Sequence, residues 1–375
     1  MRAHACPVAR RRLAWLVGVA MAAALLGGAL LVRIGPALSL GLTLALPGAE
    51  SWLAPFHAEV TVEEMSVEAG DRRLVADLYR PRAPRGALLL VHGLSPAGRR
   101  HPELVRLARL LARHHQLVLV PHFEGLAAIR LSGREVAEVR AALRALAAQS
   151  RSTGVVGLSF GAGPALLAAA DVPDLALTAS FGGYADLRDV ILYLTTGVHQ
   201  FGGRRYVQAP EEYNRWKLLA LLVDFVQNGR DRRLLDTIAG RKLADPGADT
   251  AALEADLGPE GRAVRALVLN RREDAVGALL AALPAEARAA IERLSPLAAV
   301  PRLRGRVLIA HGAGDVSIPF TESLRLAEAS AGRANAVILE TFEHTGPRSF
   351  WPTLGSRLSD GRRLLWLADA LLAER

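Results

Sequence analysis

Residues 154–163 read Gly-Val-Val-Gly-Leu-Ser-Phe-Gly-Ala-Gly, and residues 164–170 continue as Pro-Ala-Leu-Leu-Ala-Ala-Ala. The first half, Gly154–Leu158, is a short apolar run of the kind that forms a strand buried on both faces. The second half, Phe160–Ala170, is rich in small helix-forming residues. Ser159 falls at the junction, inside Gly157-Leu158-Ser159-Phe160-Gly161. A serine on a sharp strand-to-helix turn has its Oγ pushed out beyond the sheet edge, and the flanking glycines let strand and helix pass closely. The competing reading is a Gly-rich turn that binds phosphate at a helix N-terminus. No Walker lysine follows, and the GxGxxG spacing is absent.

Outward from this junction, strands and helices alternate. Val60–Val67 and Leu74–Tyr79 flank the turn Glu68–Asp71. Ala87–Val91 (ALLLV), Leu117–Val120 (LVLV) and Leu175–Phe181 read as further strands. Pro102–Arg113 has a helical face of Leu104, Leu107, Leu110 and Leu111, and Ser132-Gly-Arg-Glu135 reads as a capping box that opens a helix to about Gln149. Such alternation predicts a doubly wound, mostly parallel α/β sheet. The pattern stops near Tyr184 and resumes near Val300. Between them lies helix-like sequence without a clear strand, its better helices being Asp186–Leu194, Glu211–Asn228 and Arg262–Leu283. Residues 184–300 are therefore expected to form a helical cap inserted into one core domain, 60–183 plus 301–375. The later elements are a strand at Arg306–Ala310, a helix from about Thr321, a strand at Ala336–Leu339 and a helix from about Gly361.

A serine nucleophile needs a base, and the base needs an orienting carboxylate. His344 lies in Glu343-His-Thr-Gly-Pro347, beyond the strand at Ala336–Leu339, and Asp315 closes His311-Gly-Ala-Gly-Asp315 beyond the strand at Arg306–Ala310. Loops at the C-terminal ends of parallel strands are where catalytic groups gather. Ser159, Asp315 and His344 are the expected triad, with Glu343 a rival acid. Oxyanion donors are expected from the backbone N–H groups of Phe160 and of Leu94, in the turn after Val91-His92-Gly93. His122 and Glu124, in the turn after the Leu117–Val120 strand, are expected to shape substrate binding. Trp216 and Phe225 belong to an apolar stripe with two readings, core packing or a lid over the crevice. His92, His122 and Glu124 lack the spacing of a zinc site. No metal and no cofactor is expected. His114-His115 is read as a helix C-terminal pair.

Composition bounds the rest. The chain has 375 residues, 51% of them hydrophobic, and a single cysteine, Cys6, which excludes an intrachain disulfide. The net charge of +9 is scattered arginine without a long basic tract, so nucleic acid is not an expected partner. Leu13–Val32 contains twenty residues without a charge, preceded by Arg2, Arg10, Arg11 and Arg12. A helix of about 20 residues spans a bilayer's hydrocarbon. The expectation is a cytoplasmic N-terminus at 1–12, a transmembrane helix at 13–32 and a juxtamembrane linker at 33–59, with the apolar Ile34–Leu46 along the membrane surface. The positive-inside rule then puts the core domain on the non-cytoplasmic side. The rival is a cleaved signal peptide, for which no convincing cleavage site follows.

The residues VHG at Val91–Gly93, GLSFG at Gly157–Gly161, HGAGD at His311–Asp315 and EHTG at Glu343–Gly346 resemble the α/β-hydrolase superfamily, over about Val60 to Arg375. The similarity leans to dienelactone-hydrolase and prolyl-oligopeptidase-like enzymes. It implies Ser159 as nucleophile, Asp315 as acid and His344 as base. It also implies an eight-stranded, mostly parallel sheet, an antiparallel strand near its start and a variable cap after the sixth strand. The dienelactone-type enzymes carry cysteine where this chain has Ser159, and the propeller of the large oligopeptidases is missing. The expected function is a membrane-anchored esterase working on a small-molecule or lipid-like acyl substrate. Alternatives are a peptidase or acyltransferase with the same triad, or a silent membrane-tethered binding protein.

Overall fold

The computed structural model describes residues 21, 34–46, 48–54, 57–340 and 354–373. The Leu13–Val32 run, Met21 apart, lies outside the described residues, as do Glu343 and His344. Two helices, α1 (34–45) and α2 (Ala49–Leu53), precede the sheet. The core then runs β1 (Val60–Ala69), β2 (Arg72–Pro81), β3 (Gly86–Val91), α3 (Pro102–Arg113), β4 (Gln116–Pro121), the short α4 (Glu124–Ala127), α5 (Arg134–Ala147), β5 (Thr153–Leu158), α6 (Ala162–Ala169) and β6 (Leu177–Phe181). The insertion holds α7 (Leu187–Thr196), β7 (Val198–Phe201), β8 (Arg204–Val207), α8 (Glu212–Val223), α9 (Gly229–Ala244), α10 (Ala251–Ala255), α11 (Pro259–Val268), α12 (Val276–Ala281) and α13 (Ala285–Arg293). The core resumes with β9 (Arg306–Gly312), α14 (Thr321–Ala329), β10 (Ala334–Leu339) and α15 (Leu354–Leu372).

Eight strands form one sheet in the order β1-β2-β4-β3-β5-β6-β9-β10. β2 pairs antiparallel with both of its neighbours, and every other pair is parallel. The central strands β3 and β4 are buried along their whole length, which is why they read as unbroken apolar runs. Two hydrophobic clusters cover the two faces. One joins α5 and α6 to the insertion, and the other joins α1, α3 and α15.

Three details depart from the sequence reading. The insertion contains the β7–β8 hairpin, turned by Gly202 and Gly203 at φ +56° and +75°. The helix expected over 262–283 is broken after Val268, where Asn270 accepts from Arg272 N–H (3.0 Å) and donates to Arg272 C=O (2.9 Å). Asparagine that bonds its own backbone two residues on competes with the helix ladder. Residues 34–53 are not a free linker. α1 buries Ala37, Leu40 and Thr43 against the domain, and Arg106 of α3 pairs with Glu50 at 2.7 Å. Among the described residues no helix is long and apolar enough to cross a membrane.

Candidate active site

Leu158 ends β5 in extended geometry, and Ser159 then turns to φ +52° before α6 begins at Ala162. Positive φ is rare for a residue with a Cβ and persists only where packing enforces it. The enforcement is visible on both sides. A Cβ on Gly157 would lie 2.4 Å from Ala162 Cα, and one on Gly161 would lie 2.2 Å from the His92 carbonyl oxygen. Helix and strand thus approach so closely that the chain has no other path, and the serine is lifted out at the sheet edge. This is the strand–turn–helix geometry that a nucleophile elbow requires.

β3 and β5 are neighbours, so the turn after Val91 comes up beside Ser159. A Cβ on Gly93 would touch Ser159 Cβ at 2.8 Å. The buried His92 holds this turn. Phe123 N–H donates to His92 Nε2 at 3.1 Å, which leaves the ring proton on Nδ1, where it is donated to Gly93 C=O at 2.8 Å. Burial pulls the His92 pKa down to about 4, so the ring is neutral. In a trans peptide C=O and N–H point opposite ways, so anchoring the Gly93 carbonyl turns the Leu94 N–H away from His92. The sequence reading missed this latch; its signal was a histidine directly before the glycine of the turn.

Two strands from β5, on the far side of β6, β9 ends at the loop that carries Asp315. Asp315 is 1% exposed. Its Oδ1 accepts from Ser317 N–H (2.7 Å) and Ile318 N–H (3.0 Å), and its Oδ2 lies 3.3 Å from His311 Nε2. His311 is itself fixed by Ser323 Oγ and Ile318 C=O. Leu339, at the end of β10, accepts from Ala313 N–H at 2.9 Å, so the chain leaves β10 two residues from Asp315. His344 is five residues further along the sequence.

The sheet edge therefore gathers the Gly93–Leu94 turn, Ser159, Phe160 and Asp315. The fold is that of the α/β hydrolases. No family model and no curated protein matches the chain in sequence. Among solved structures it is similar to an acylaminoacyl peptidase of Pyrococcus horikoshii, with 12% identity over 85% of this chain, 43% of that chain and a TM-score of 0.48. This chain thus spans less than half of that peptidase. The esterase domain of a Rhodothermus marinus protein is 17% identical over 84% of this chain and 100% of that one, with a TM-score of 0.46. An α/β hydrolase of a Penicillium species is 16% identical over 83% and 99%, with a TM-score of 0.49. Likeness at this level concerns chain path and says nothing of substrate.

The remaining candidates divide. Phe160 is buried, lies 5.5 Å from the Tyr184 ring and helps line a cavity of about 30 Å³. Leu187 and Val190 of α7, Leu218 and Leu222 of α8, and Phe225 beyond it form other walls. Trp216 does not line this cavity. It is buried elsewhere on α8, with Lys242 of α9 over its ring at 5.0 Å. His122 lies 5.9 Å from the His92 ring, so it backs the turn that His92 holds. Glu124 is exposed and ion-paired with Arg72 at the start of β2. These two residues follow β4, two strands from Ser159.

Proposed function

We propose that this chain is a serine hydrolase that cleaves carboxylic esters, with Ser159 as nucleophile, His344 as base and Asp315 as orienting acid. The observation that carries the reading is Ser159 at φ +52° between two glycines that admit no Cβ, beside the turn that His92 latches. Ser159 Oγ attacks the acyl carbon and gives its proton to His344. Phe160 N–H and Leu94 N–H receive the developing oxyanion. The tetrahedral centre collapses, the leaving alcohol takes the proton from His344, and an acyl-serine remains. Water then gives a proton to His344 as its oxygen attacks, and Ser159 departs with that proton. Asp315, rigid on its two backbone donors, keeps the imidazole in one tautomer.

The all-hydrophobic walls beside Phe160 favour a hydrocarbon acyl group. Residues 13–32 anchor the chain in a bilayer, with the catalytic domain on the non-cytoplasmic side. Full-length protein in detergent should hydrolyse nitrophenyl esters of short acids faster than the matching anilides. Faster anilide cleavage would favour a peptidase. Folded protein that cleaves neither would favour a binding role. Carbonate washing and protease treatment of sealed, oriented vesicles test the anchor and its sidedness; release by carbonate or the opposite sidedness would overturn that part.

A further inference from the structure

The helix α1 is built with two apolar faces. Its inward face is fixed to the domain: Ala37, Leu40 and Thr43 are buried, and Gly41 backs onto the α15 backbone at Leu364 and Leu365. Ser39 Oγ bridges His57 Nε2 (3.1 Å) and His114 Nε2 (3.0 Å), and Arg106 donates to the Thr43 carbonyl. Its outward face carries Leu38, Leu42 and, one residue past its end, Leu46, exposed by 40%, 39% and 48%. The spacing of four puts these three on one stripe. Trp52, just beyond, is 81% exposed, and Trp366, next to the Leu365 that α1 crosses, is 38% exposed. A helix on the surface of a soluble domain normally turns charge to the solvent. Here no charged residue occurs between Ile34 and Ala49.

We propose that this outward face, continued by Trp52 and Trp366, rests in the headgroup–acyl boundary of a lipid bilayer. The catalytic domain is then docked against the membrane rather than swinging from it on a tether. The proposal rests on reading residues 13–32 as a membrane span. Three observations select lipid as the occupant. The face is contiguous in sequence with the charge-free run, separated from it only by Arg33. A span needs about 20 residues, so the apolar residues after Arg33 exceed what the hydrocarbon can take lengthwise and have to lie elsewhere. The exposed large side chains include two tryptophans, the residue type that prefers the membrane interface.

The test uses full-length protein, with Cys6→Ser and a nitroxide on one introduced cysteine, in vesicles of phosphatidylcholine and phosphatidylglycerol. Separate samples carry Leu42→Cys, Trp52→Cys and, within the apolar run, Leu25→Cys. Power saturation compares accessibility to oxygen, which concentrates in lipid, with accessibility to a water-soluble nickel chelate. The proposal expects oxygen accessibility to exceed nickel accessibility several-fold at 42 and 52, at a shallower depth than at 25. Nickel exceeding oxygen at 42 and 52, with 25 still in lipid, would leave the anchor standing and overturn the docking. Exclusion of both reagents at 42 would show that protein covers the face, either the chain's own N-terminal segment or a second copy, and would also overturn it. A label at 25 that reads as aqueous would remove the span, and the docking with it.

Discussion

The sheet edge and the insertion are held by different kinds of contact. At the edge, backbone does the work: two carbonyls and a helix crowd the glycines around Ser159, two N–H groups clamp Asp315, and one histidine ties two loops together. In the insertion, the contacts beside the site are leucine, isoleucine, valine and phenylalanine side chains that share a cluster with the core. Backbone crowding leaves little freedom, so one added atom is felt at the reacting group. Apolar packing is tolerant, so the same change there alters fit without disturbing chemistry.

The strongest way to break this contrast is at Asp315. Asp315→Asn should cost on the order of 10⁴ in kcat if it sets the His344 tautomer, whereas Glu343→Gln should cost less than about tenfold on the same footing. Steady-state kinetics on one ester decide between the two carboxylates, and the reverse order would reassign the acid. Next comes Gly93→Ala. The new Cβ would meet Ser159 Cβ at 2.8 Å and Oγ at 3.3 Å. Turnover should fall about 10²-fold, the scale of a 1 Å misplacement, and the thermal midpoint should also fall, because the contact is relieved only by a shift in tightly packed structure. A substitution in the insertion should do less. Leu222→Ala enlarges the cavity wall and should move the preferred acyl chain length upward, with a change of about tenfold or less in relative kcat/KM, the scale of one or two methylenes. Unchanged chain-length preference would separate the cavity from the acyl group.

The smallest effect is one of stability. Burial lowers His92, His114 and His199 each to about 4, against about 6.5 when unfolded. The unfolded chain binds these protons first, so stability is present above pH 6.5 and is lost as pH falls towards 4. Buried Glu322, which accepts from Ala185 and Asp186 N–H, is pushed up to about 7 and acts with the opposite slope: its contribution is lost as pH rises from about 4.5. Burial also lowers His57 and His122 and raises Asp77, Glu138 and Asp189, so the prediction is differential: His92→Asn should lose less of its thermal midpoint than the parent protein on acidification below pH 6.5.

The same contrast explains what was legible in the sequence. Central strands announce themselves because both faces are buried: ALLLV and LVLV became β3 and β4. The sharp turn at Ser159 was legible because the serine sits between glycines at a change of periodicity. The latch was not, since nothing in the sequence says that His92 gives both ring nitrogens to two separate loops. Nor was the carboxylate cluster around buried Arg99, where Glu64 lies at 2.6 Å and Asp77 also pairs, because its members come from β1, β2 and the turn after β3. In the insertion, the Gly202-Gly203 pair was a usable hairpin signal, but strands of four residues are too short to show alternation. Trp216 and Phe225 are read as one apolar stripe, yet only Phe225 of the two faces the cavity: nine residues apart they are half a turn out of phase at 3.6 residues per turn, and Phe225 lies past the end of α8.

Covalent capture decides whether Ser159 is the nucleophile. Full-length protein is treated with a fluorophosphonate, digested and mapped by mass spectrometry, with Ser159→Ala in parallel. One phosphonylated residue, Ser159, is expected, with no adduct in the variant and a fall in its ester turnover on the order of 10⁶. An adduct on another residue, or ester turnover that survives Ser159→Ala, would contradict it.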